Sequence, residues 1–193
     1  MPARFPLVLA SASPRRRDLL KAAGLAPGRV EAAEIDETPG KNEKPEALAK
    51  RLAEAKARAV AARNREAFVL GADTVVAVGR RVLPKAGTKA EAETCLRLLS
   101  GRGHRVYGGI CVIAPDGSAR TRLVVTRLLF KRLSEAEIAA YLESREWEGK
   151  AGGYAIQGLA GRFARHLQGS YTNVVGLDTH AAATLLEGLG YGT

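Results

Sequence analysis

The sequence predicts an α/β domain built on one central sheet, and three stretches carry that expectation. Phe68–Val78 holds eight aliphatic or aromatic residues in eleven, many β-branched, and reads as a buried strand crossing the middle of a sheet. Pro6–Ala10 reads as a strand that passes through a short turn into a helix opened by Ser13 and Pro14. His104–Ala114 and Ala119–Phe130 alternate about Pro115-Asp-Gly117, a turn signal, and so form a hairpin. At 193 residues the chain suits a single domain over 1–193, or two lobes sharing one sheet.

Composition excludes several classes. Hydrophobic residues make up 46% and charged ones 26%, as in an ordinary globular protein. The apolar runs are far too short to span a membrane, and the Met1–Ala10 segment lacks an apolar signal region. Cys95 and Cys111 match neither a disulfide framework nor a zinc pattern; as small buried hydrophobes they suit a reducing cytoplasm. The net charge of +10 favours polyanionic partners, but aromatics at 5% leave little for stacking nucleic-acid bases. A small phosphorylated ligand is therefore expected rather than a polymer.

Taken in order, the elements raise specific questions of chemistry. The first helix runs from Pro14 to about Gly24 with Arg15, Arg16 and Arg17 in its first turn. Cations there oppose the helix dipole unless an anion is also present, so Ser hydroxyls, free N–H groups and guanidiniums point to a phosphate site. After a short second strand, Asp36 and Glu37 are adjacent loop carboxylates, able to hold a hard cation or to stay solvated. A helix between Glu43 and Arg63 presents Leu48, Leu52, Ala55 and Ala59 as its apolar line, with Lys56 on the flank, directed either into a cleft or out to water.

Asp73 and Thr74 interrupt the central strand, and a carboxylate there must find a cation, a metal or several donors. Gly79-Arg-Arg81 turns the chain back through Val82–Lys85. Thr88-Lys-Ala-Glu91 is a capping box for a helix to about Ser100, and Ser134 with Glu137 opens another that buries Tyr141 and Leu142. His104 lies at a strand start without metal-binding neighbours. Gly149–Gly158 carries four glycines in ten residues, a backbone set close against something, with Gln157 able to meet a base edge. Gly161–Leu167 is strand-like, Gly169–Gly176 a polar glycine loop, and Asp178 caps a last helix over about Thr179–Gly188.

Together these motifs resemble the Maf family of nucleoside triphosphate pyrophosphatases, also described as septum-formation inhibitors. The likeness rests on Leu9-Ala-Ser-Ala-Ser-Pro-Arg-Arg16, Ile35-Asp-Glu-Thr38, Arg51-Leu-Ala with Lys56-Ala, and Gly71-Ala-Asp-Thr-Val-Val76. Leu99-Ser-Gly-Arg-Gly-His104, Lys150-Ala-Gly-Gly-Tyr-Ala-Ile-Gln-Gly158 and Gly169-Ser-Tyr-Thr-Asn-Val-Val-Gly-Leu177 follow in order. Each motif alone is weak; their order is specific.

The resemblance implies an elongated mixed sheet flanked by helices, two lobes around a central cleft, a divalent cation (Mg²⁺ or Mn²⁺) and often a homodimer. It implies cleavage between the α- and β-phosphates of a nucleoside triphosphate, with Tyr154 and Gln157 resembling the branch acting on dTTP and UTP. By the same likeness Asp73 is the catalytic carboxylate, and Glu37, with Asp36 the weaker candidate, holds the metal beside it. Arg15, Arg16, Lys56 and Lys85 would spread over the triphosphate, Ser11 and Ser13 would add donors, and Arg15, Thr74 and Gln157 would set substrate choice. Two departures stand out: Pro84-Lys85-Ala86 replaces a Gly-Lys-Pro loop, which leaves the aim of Lys85 open, and Asp178 replaces a proline. The competing readings are a non-catalytic nucleotide-binding regulator of septum formation, a pyrophosphatase for modified purine nucleotides, and a general nucleic-acid binder.

Overall fold

The computed structural model describes residues 5–192. In chain order these are β1 (Leu7–Ala10), α1 (Pro14–Ala22), β2 (Arg29–Val30), α2 (Pro45–Ala61), β3 (Phe68–Val78), β4 (Arg81–Leu83), α3 (Lys89–Leu99), β5 (Gly103–Ile113) and β6 (Ala119–Phe130). After them come α4 (Glu135–Glu143), a 3₁₀ turn (Leu159–Phe163), β7 (Ala164–Gln168), α5 (Tyr171–Val175) and α6 (Thr179–Gly188). The expected α/β class holds. The N-terminal tetrapeptide, on which the absence of a signal region partly rested, lies outside the described residues.

One seven-stranded mixed sheet runs in the order β2-β1-β3-β5-β6-β7, with β4 pairing β3 off that path. β1 pairs β3 in parallel through Phe68–Gly71, whereas β4 pairs the same strand antiparallel through Val76–Val78. Between these partners, Ala72–Val75 face a gap in the sheet edge. The gap positions the site, because Asp73 and Thr74 lie in it.

Alternation along β3 divides the two faces. Leu70 and Ala72 join Leu9, Leu20, Ile110, Leu185 and Leu186 in a cluster under α1 and α6. Farther along the same face, Val76 joins Val106, Phe130, Leu96, Tyr141 and Phe163 in a second cluster under α3 and α4. These clusters are the two expected lobes on one sheet, and α5 is wedged between them by Asn173. Its Nδ2 donates to the Val106 carbonyl (3.2 Å) and to Thr126 Oγ1 (3.0 Å).

The opposite face carries α2. That helix packs through Leu48, Ala49, Leu52, Ala53, Lys56, Ala57 and Val60, whereas Ala55 and Ala59, expected on the apolar line, are only partly buried. The stripe is rotated because α2 settles backbone-close onto two strand glycines. A Cβ on Gly71 would stand 2.4 Å from the Ala53 carbonyl oxygen, and one on Gly109 would stand 2.0 Å from that of Ala49. Small residues on both sides make this approach possible, and it brings Lys56 inward.

Both capping boxes form, with Thr88 accepting from the Glu91 N–H and Ser134 from the Glu137 N–H. Asp178 caps α6 through the Ala181 N–H at 2.6 Å, so the replaced proline costs no helix start. Two expectations are corrected. The strand-like Gly161–Leu167 begins as a 3₁₀ turn, because Ala160 and Phe163, three residues apart, must point to the same core. The Gly169–Gly176 loop contains α5, whose Ser170 accepts from the Asn173 N–H as its cap.

Candidate active site

The cleft opens at the gap in the sheet edge and gathers residues from distant parts of the chain. Ser11, Ser13, Arg15 and Arg16 come from the β1–α1 turn, Glu37 from the following loop and Lys56 from α2. Thr74 comes from β3 and Lys85 from the segment after β4, while Lys150 and Gln157 come from the glycine-rich loop.

Asp73 is buried and its side chain faces α2, where Lys56 Nζ donates to Oδ1 at 2.6 Å. Lys56 is itself only 6% exposed, so the sequence ambiguity is decided: it points inward. Its ammonium also reaches Glu37 Oε1 at 2.6 Å, and Lys85 Nζ donates to Glu37 Oε2 at 2.6 Å. Asp73, Lys56, Glu37 and Lys85 thus form one alternating chain of charge. Burial alone would raise the Glu37 carboxyl, but the bonds from Lys56 and Lys85 outweigh it and hold the group down at about 2.

Lys85 is aimed despite its altered loop. The Gly152 N–H donates to the Pro84 carbonyl (2.9 Å), the Ala86 N–H to the Lys150 carbonyl (3.1 Å), and the Gly149 N–H to the Ala86 carbonyl (2.9 Å). The proline loop is therefore fastened to the glycine-rich loop. Gly152 and Gly153 make that seat with φ of +71° and +68°, a left-handed backbone in which Gly152 rests on Val76.

Thr74, one residue on, faces the other side of the sheet. Arg16 donates to Thr74 Oγ1 (3.1 Å), Ser11 Oγ (3.0 Å) and the Gly176 carbonyl (2.9 Å). Arg16 is therefore a buried strut that ties α1, β3 and the segment after α5 together, while keeping its charge in the cleft wall. Burial lowers its pKa and the nearby Asp73 opposes that shift. Arg15 donates to the Val175 carbonyl at 3.2 Å. Arg17, the third cation of the turn, points outward to Asp18 and takes no part.

Ser13 is the N-cap residue but its hydroxyl makes no capping bond, which leaves it directed to the cleft. Asp36 is not brought in: its carboxylate accepts from the Thr38 N–H at 2.8 Å. The exposed Gln157 amide has no hydrogen-bond partner among the described residues. Among those residues no group of three or more metal-type side chains exists. Asp73 and Glu37 nonetheless offer hard oxygens around one point, now held by Lys56, and a divalent cation commonly takes one or two carboxylates and completes its shell from phosphate and water. The donor set fits on those terms.

The place of Lys150 in the cleft and the bond that anchors Tyr154 to His104 are not legible in the sequence. Tyr154 lines the cleft, and its hydroxyl lies 2.9 Å from His104 Nε2, with the Phe130 ring set edge-on to the imidazole. Burial lowers the His104 pKa to about 4, so the imidazole is neutral and shares a hydrogen bond with the tyrosine hydroxyl. The His104 motif was the available signal, since a buried histidine wants a polar partner. Because the unfolded chain takes up a proton near 6.5 and the folded one only near 4, stability from this group is intact above about pH 6.5. It is lost as pH falls toward 4, by roughly 3 kcal/mol. A His104→Gln variant, which keeps an acceptor for Tyr154, is expected to melt with a shallower loss over that window. Parallel pH slopes of melting temperature for the two proteins would contradict it.

Comparison with known proteins places the chain in a family. The family model described as "Maf-like protein" matches residues 6–189. The chain is 63% identical over 185 residues to a Paramagnetospirillum magneticum protein named dTTP/UTP pyrophosphatase, covering 96% of this chain and 97% of that one. Proteins of the same name from Caulobacter vibrioides and Chelativorans sp. are 61% and 59% identical, covering 96% and 99% of this chain and 96% and 94% of theirs. A solved Mycobacterium abscessus nucleoside-triphosphatase (dITP/XTP pyrophosphatase) aligns with a TM-score of 0.38 at 17% identity, over 66% of this chain and 74% of that one. That likeness is too distant to inform the site.

Proposed function

The chain belongs to the Maf-like family, and from that premise we propose that it is a nucleoside triphosphate pyrophosphatase that hydrolyses dTTP and UTP to the monophosphate and pyrophosphate. The observation that carries this reading is the charge chain Asp73–Lys56–Glu37–Lys85 at the gap in the sheet, inside a cleft walled by Arg15 and Arg16. A buried carboxylate beside the cleft's lysines supplies a proton acceptor, which turnover needs and binding alone does not.

In the reaction, Asp73 orients a water and accepts its proton as the oxygen bonds to the α-phosphorus. The bond to the bridging oxygen breaks and pyrophosphate leaves with that electron pair. Lys85 and Lys56 stabilise the charge that grows on the phosphoryl oxygens, fixed in advance by their bonds to Glu37 and Asp73. Arg16, immobile in its three bonds, supplies a positive wall that needs no rearrangement. Ser11 and Ser13 add hydroxyls beside it. Gln157, with its amide unengaged, meets the base, where a mismatched partner leaves a polar group unpaired. Glu37 and Asp73 are the residues that would hold a divalent cation, which when bound supplies charge neutralisation for the phosphates.

The test is a nucleotide panel with Mg²⁺ or Mn²⁺, scored for pyrophosphate against single-phosphate release. Pyrophosphate from dTTP and UTP, abolished by a chelator, is the expected result. Orthophosphate release, or preference for a purine substrate, would overturn the assignment. A homodimer, on the family likeness, and a cytoplasmic location, on the two free buried cysteines, belong to the same proposal; no described helix is long and apolar enough to cross a membrane.

A further inference from the structure

Of the cleft's cations, Lys56 and Lys85 are balanced by Asp73 and Glu37, and Arg16 is spent on structural bonds. Arg15 and Lys150 are different. Neither pairs with a carboxylate among the described residues; each has one side-chain bond, to the carbonyls of Val175 and Glu148 respectively. The acids nearest Lys150 are engaged elsewhere, Glu148 with Arg145 and Glu146 with the Leu159 N–H. Both cations line the cleft, one on the first turn of α1 and the other on the glycine-rich loop.

We infer that Lys150 is a phosphate-binding residue that clamps the polyphosphate chain against Arg15. This rests on the reading above that the cleft takes a nucleoside triphosphate. Two partly buried positive charges lining one cleft, neither in an ion pair, repel, and a phosphate between them relieves that repulsion and gains charge-assisted hydrogen bonds. Consistent with this, burial lowers the pKa of both groups, and Arg15 lowers that of Lys150 further. The Lys150 backbone is pinned to Ala86, so the ammonium is delivered on a fixed loop and shares its anchor with Lys85. Lys85 then serves the reacting phosphate and Lys150 the rest of the chain.

The experiment is calorimetric titration of the intact protein, with Mg²⁺ present, by inorganic pyrophosphate and separately by thymidine. Lys150→Met, which keeps the aliphatic stem, is expected to weaken pyrophosphate binding about tenfold and leave thymidine binding unchanged. Lys150→Arg should restore most of the pyrophosphate affinity, and equal melting temperatures show that neither change acts through folding. Undetectable binding of pyrophosphate to wild type, affinity unchanged in Lys150→Met, or loss confined to thymidine overturns the inference. If pyrophosphate binding depends on Lys150 yet wild type turns over neither dTTP nor UTP, the functional reading fails and the clamp stands.

Discussion

Asp73→Asn is expected to reduce pyrophosphate release by roughly 10²- to 10⁴-fold, the range a positioned general base contributes, with little change in KM. The substitution preserves shape while removing the proton-accepting carboxylate and its negative charge. It is also a fair test of mechanism, because Lys56 keeps a carboxylate partner in Glu37 at 2.6 Å and is not left as a lone buried cation. The variant should therefore fold and still bind nucleotide. Wild-type turnover in Asp73→Asn would remove Asp73 from the chemistry, whatever its place in the charge chain.

Gly109→Ala should produce the largest loss of stability of any single methyl group in the molecule's centre. The added Cβ would meet the Ala49 carbonyl oxygen at 2.0 Å and its carbon at 2.5 Å, and both are helix backbone that no rotamer change can move aside. Either α2 lifts from the sheet or β5 bends, at a cost of roughly 3 kcal/mol or more. For a chain of this length that corresponds to a melting temperature lower by roughly 10 °C. Activity should fall further than stability, because Lys56 rides on α2 and its distance to Asp73 is set by how closely the helix sits. A variant that melts within about 2 °C of wild type with full activity would show that the approach of α2 to the sheet is not what places Lys56.

Much of the fold is legible locally. β3 spans the stretch read from its apolar run, the hairpin closes at Pro115-Asp-Gly117, and both capping boxes form where Thr88 and Ser134 stand three residues before a glutamate. These features depend on neighbours in sequence. Less legible were α5, too short for a periodic pattern, and the 3₁₀ turn, which exists because Ala160 and Phe163 share a core.

The site divides the same way. The family resemblance placed Asp73, Glu37, Lys56, Lys85, Arg15, Arg16, Thr74 and Gln157 in one functional set; all but Asp73 line one cleft, and Asp73 is buried directly behind Lys56. Side-chain direction was beyond sequence. That Lys56 turns inward follows from two glycines on separate strands admitting α2; that Arg16 is a strut follows from the Gly176 carbonyl, 160 residues away in the chain.

The sequence by itself determined the longer elements, the two capping boxes and the identity of the charged groups, because those follow from residue chemistry within a few positions. Only the tertiary structure decided which charges meet. Lys56 takes Asp73 and Glu37, Arg17 turns outward to Asp18, and Lys150 and Arg15 line one cleft without an ion pair, because electrostatic pairing acts through space and is fixed by packing between distant segments.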